Sequence, residues 1–137
     1  MGLKRGEIVP VELRRLVFSE QEVQAALINY ALRSDMKLPN ANIQSLQVFK
    51  KDGISAILKF PPNAEGKARE VNFSEAHLAA AIILYCRVQD IPVPRDARKV
   101  LAHNKNSVSM SMEVHYGEQA QGAAEAAREA VKDAGSE

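Results

Sequence analysis

The chain has 137 residues, 46% apolar and 26% charged, which fits one ordinary globular domain and leaves little room for two. Its net charge of +1 points to neither an acidic nor a basic partner. Its longest apolar run, the nine residues from Leu78 to Cys86, is too short to cross a membrane, so no membrane contact is expected.

In chain order, Met1 to Pro10 carries Lys4 and Arg5 with no apolar stretch after them. It reads as a flexible N-terminus over 1–10, without a visible signal peptide. Glu12 to Val17 reads as a short strand. Ser19 to Asp35 reads as a helix, because Ser19 with Glu22 makes a capping box and Val23, Leu27, Tyr30 and Ala31 recur at helical spacing. Met36-Lys37-Leu38-Pro39 is extended, since proline cannot continue a helix. Ile43 to Lys51 and Ile54 to Phe60 flank Asp52-Gly53, a strong hairpin signal. Pro61 to Gly66 is a loop.

The same series then recurs. Arg69 to Asn72 reads as a strand, and Ser74 to Asp90 as a helix that is apolar almost all round and therefore expected at the centre. His77 stands where the capping-box Glu would be, so this cap should be weaker. Ile91-Pro92-Val93-Pro94 is extended. Arg98 to His103 and Val108 to Val114 flank a weaker turn, Asn104 to Ser107. Gly117 to Glu137 is rich in Ala and Glu with a net charge of −3, and reads as a disordered tail or a frayed helix. The body before it is mildly basic at +4.

The recurrence is specific. At a shift of 55, nine of the 22 positions from Phe18 to Pro39 are identical to those from Phe73 to Pro94, among them Tyr30/Tyr85, Asp35/Asp90 and Pro39/Pro94. Chance at about 6% per position would give one or two. At a shift of 54, Ile54, Ala56, Leu58 and Phe60 match Val108, Met110, Met112 and Val114. The expected fold is therefore α+β: an internally duplicated β-α-β-β unit, with repeat 1 at about 11–60 and repeat 2 at about 68–115. Together they make one domain over 11–116, with an antiparallel sheet (a mixed centre being the variant) and two helices packed on one face.

No catalytic constellation, metal-ligand spacing or cofactor motif is present in the sequence, so no cofactor is expected and an enzyme is the lesser reading. Cys86 is the only cysteine; its place in an apolar run marks an inert core thiol and a reducing, cytoplasmic location. His77, His103 and His115 show no ligand spacing. Arg95, Arg98, Lys99 and Lys105 form a basic cluster that would contact phosphates if they share a face, and Arg14-Arg15 and Lys50-Lys51 are smaller ones. Tyr30, Tyr85, Asp35 and Asp90 would line two related pockets if the repeated pairs serve function. The structural alternative is that each Tyr packs and each Asp shapes a turn.

Three functions follow in order. The first is a non-catalytic protein-interaction module binding a protein partner or itself as a homodimer, using exposed strand edges. The second is nucleic-acid binding by the basic body, with the acidic tail as competitor. The third is a small-ligand binder or enzyme with a pocket between helices and sheet.

Overall fold

The computed structural model describes residues 10–116. The expectations for the tail at 117–137, and for nearly all of the N-terminal segment, lie outside these residues.

The elements run β1 (Val11–Phe18), α1 (Glu20–Arg33), β2 (Ser45–Lys50), β3 (Ile54–Phe60), β4 (Arg69–Phe73), α2 (Glu75–Val88), β5 (Arg98–Asn104) and β6 (Ser107–His115). This is the β-α-β-β order given twice, and the fold is α+β. The six strands are divided between two three-stranded sheets, of order β2-β3-β4 and β1-β6-β5, rather than gathered in one. In each sheet a hairpin takes as its third strand the strand that opens the other repeat. If β1 is aligned with β4, β2 with β5 and β3 with β6, the two orders become the same.

The register of the first sheet is antiparallel, with Val48 opposite Ala56 and Leu58 opposite Val71. Its two hairpin strands are joined by Lys51, Asp52 and Gly53, whereas β5 and β6 are joined by Lys105 and Asn106 only. Asp52 and Gly53 both have positive φ, 53° and 105°, as a tight hairpin requires. A Cβ on Gly53 would meet the Glu75 side chain, which would have to shift, and the positive φ disfavours any other residue there.

The chain forms two compact units. The larger holds Val17–Pro92 with Leu101–Ser109; the smaller holds the described parts of Met1–Leu16 and Met110–Glu137, together with Val93–Val100. The core of the larger unit is largely aliphatic, with Phe18, Phe60 and Phe73 buried in it, in a chain that is only 5% aromatic. Val23, Ala26, Leu27 and Ala31 of α1 are buried, as are Leu78, Ala81, Ile82 and Cys86 of α2. Every second residue of β3, from Ile54 through Ala56 and Leu58 to Phe60, is also buried. α2 packs on α1 and on β3 and β4, which is why its sequence has no fully polar face.

Both helices start at a serine cap and end alike, but the two caps are unequal. Ser19 accepts from the Glu22 amide at 3.2 Å and the Glu22 carboxylate accepts from the Ser19 amide at 2.8 Å, a complete capping box. Ser74 accepts from the His77 amide at 3.3 Å, and the reciprocal bond is missing because an imidazole replaces the carboxylate. At the other ends the amides of Met36 and Ile91 donate to the carbonyls of Ala31 and Cys86, at 3.1 and 2.7 Å. These are the six-to-one bonds of a Schellman motif.

Candidate functional site

The repeated aspartates have a local explanation in this geometry. Asp35 and Asp90 each have φ of 59°, in the left-handed region that closes a Schellman motif. Glycine is the usual residue there, and Asp tolerates it better than residues with larger side chains. Both aspartates are exposed. The tyrosines are half-buried and make different contacts. Tyr30 lies against the His77 ring at 5.9 Å between centroids, and Tyr85 meets Phe18 edge-on at 6.1 Å. The four residues of the expected pocket thus sit at helix ends and in aromatic contacts of the larger unit.

The basic cluster is dispersed. Arg98 and Lys99 are neighbours on β5, so their side chains leave opposite faces. Arg98 is exposed, while Lys99 is half-buried and its Nζ donates to the carbonyls of Ala97 at 2.9 Å and Arg95 at 3.2 Å. Burial lowers the Lys99 pKa from its ordinary value, and Asp96 partly offsets this. Its ammonium is therefore committed to the loop before β5. Lys105 is in the β5–β6 turn with φ of 56°, and Arg95 is exposed on that loop.

The structure instead gathers arginines that are far apart in sequence. Arg98 joins Arg14 and Arg15 of β1 around an open concavity of about 510 Å³ in the smaller unit. Leu13 and Val100 supply its apolar lining and Glu113 an acidic one. Leu13 is 75% exposed and Val100 is 50% exposed. The strand geometry gives the reason. In β1 the positions Val11, Leu13, Arg15 and Val17 lie on one face, and all four are exposed. On the other face Leu16 is half-buried and Phe18 buried. Among the described residues β1 has a paired strand on one side only. At its start the Glu12 carboxylate accepts from the Tyr116 hydroxyl at 2.7 Å and lies 4.0 Å from the Arg14 guanidinium.

The other sheet serves as an internal comparison. The residues of repeat 2 aligned with Leu13, Arg15 and Val17 are Ala68, Glu70 and Asn72, at and beside β4. None of the exposed large apolar side chains among the described residues falls on β2, β3 or β4, while Val11, Leu13, Val17 and Val100 fall on β1 and β5. One sheet is thus faced with polar or small residues at positions where the other is faced with leucine and valine. Sequence reasoning missed this surface because Arg14-Arg15 breaks the alternation of β1. Setting β1 beside β4, residue against residue, was the signal that could have found it.

Among the described residues no helix is long and apolar enough to cross a membrane, and no group of three or more His, Cys, Asp or Glu side chains could hold a metal ion. No family model, curated protein or solved structure matches the chain.

Proposed function

We propose that this chain is a non-catalytic protein-interaction module that works through the edge and outer face of β1. One observation carries the reading: Leu13 of β1 and Val100 of β5 are exposed beside Arg15 and Arg98, and β1 has one unpaired edge among the described residues, while the positions of the other repeat aligned with Leu13, Arg15 and Val17 are small or polar. Exposed apolar side chains rimmed by charge mark interaction surfaces, and an open edge adds main-chain hydrogen bonds to the contact. The matched sheet orders support an origin by duplication, after which one copy of the face became adhesive.

The convergence of Arg14, Arg15 and Arg98 favours a second reading, in which the face binds nucleic acid through phosphates. The apolar floor and Glu113 fit a protein partner better, since phosphate contacts need neither. Affinity capture with Leu13→Asp and Arg15→Glu variants, with and without nuclease, separates the two. Under the proposed role, Leu13→Asp removes a nuclease-resistant protein partner, which includes a second copy of the chain. Binding that survives Leu13→Asp, but is lost with nuclease or in Arg15→Glu, replaces it with the nucleic-acid reading.

A further inference from the structure

The proposed interaction role leaves the occupant of the β1 edge to be named, and the charge order along the strand selects one. We infer that β1 pairs antiparallel with the β1 of a second copy, centred on Leu13, so that Glu12 of each copy stands opposite Arg14 of the other. The inference rests on the interaction role and goes one step further, to the partner and the register.

A two-fold axis normal to a sheet keeps each face on its own side. It can therefore only place a residue opposite its own copy, and the centre residue fixes the whole register. The strand reads Val11-Glu12-Leu13-Arg14-Arg15-Leu16-Val17-Phe18. Centring on Glu12 sets carboxylate against carboxylate, and centring on Arg14 or Arg15 sets guanidinium against guanidinium. Like charges directly opposite are destabilising. Centres nearer the strand ends bring no opposite charges together, and those toward Phe18 carry Leu13 past the end of the partner strand. Leu13 is the centre that aligns both kinds of complementarity. Leu13 meets Leu13 on the outer face, where it is the most exposed large apolar side chain among the described residues. Beside it the aliphatic stem of Arg15 covers Val11. On the opposite face Glu12 meets Arg14 twice. Glu12 and Arg14 already lie 4.0 Å apart within one chain, so the pair of strands would carry four charges of alternating sign.

The contact is short, five residues from each strand, so the dimer should be weak and dependent on concentration. The test is sedimentation equilibrium of the full chain over a wide concentration range, with melting temperatures showing that each variant is folded. Wild type should associate reversibly to a dimer. Glu12→Arg and Arg14→Glu should each weaken association about tenfold or more. An equimolar mixture of the two variants should recover it, because the register centred on Leu13 restores both Arg–Glu pairs, where the registers centred on either neighbour restore one. Tyr116→Phe, which removes a bond to Glu12 without changing the charge of the edge, should leave association unchanged. A monomeric wild type overturns the inference, as does a mixture that associates no better than its components. If the wild type is monomeric while Leu13→Asp still removes a protein partner, self-pairing falls and the interaction role stands. If neither Leu13→Asp nor the charge reversals alter any association, both fall.

Discussion

Asp35 and Asp90 show how a repeated residue can be structural. A carboxylate at a helix C-terminus opposes the helix dipole, so chemistry on display is a natural first thought. The backbone shows another cause: both residues turn through the left-handed region at φ of 59° to let Met36 and Ile91 bond back to the helix. Glycine reaches that conformation without a Cβ clash and carries no opposing charge. Asp35→Gly and Asp90→Gly should therefore each stabilise the fold by up to about 1 kcal/mol, after the entropy of a more flexible unfolded chain is counted. Chemical denaturation of each variant measures this. A loss of stability would mean that the carboxylates make contacts that outweigh the backbone strain. The Lys99 ammonium is a comparable case. Proximity in sequence groups it with Arg98, yet its two bonds to loop carbonyls direct it away from the face that Arg98 occupies. Alternation along a strand separates neighbours, and no count of basic residues reveals that.

At the scale of elements, the helices were the most legible parts. Capping residues, helical periodicity and a following proline are local signals, and they placed α1 and α2 to within two residues at either end. The unequal caps were legible for the same reason. Ser19 and Glu22 exchange two bonds, while Ser74 and His77 exchange one. His77→Glu should complete the second box, adding about 0.5 to 1 kcal/mol of stability. The variant also loses the ring contact with Tyr30, so it is best compared with His77→Gln, which restores the bonding group without the charge. Thermal melting of both variants reads the difference. If neither exceeds the wild type, the ring contact is worth as much as the missing cap. The hairpins were legible through their turn signals, Asp52-Gly53 above all. The way the strands divide between sheets was not, because strand pairing joins residues far apart in sequence and the pattern of one strand does not say which edge it will meet.

For the whole molecule, the β-α-β-β order given twice divides its strands between two three-stranded sheets of matching order. Cys86 lies at the shared helical core, fully buried, in the slot that Ala31 fills in the other copy. Its thiol should react with an aromatic disulfide reagent only as the core opens. The labelling rate in rising urea should then follow unfolding measured by circular dichroism. Fast labelling in the absence of denaturant would place local opening near α2 and contradict a rigid core.

The sequence by itself determined the β-α-β-β order, the helix boundaries and caps, the aliphatic core and the duplication signal, because each is written in contacts between residues a few positions apart or in direct comparison of the copies. Only the tertiary structure decided that the strands form two sheets, that Lys99 turns toward the loop before β5, and that Arg15 and Arg98 line one concavity with Leu13 and Val100. These outcomes depend on which strand lies beside which. That choice is made by the burial of whole faces at once, a quantity that no single segment carries.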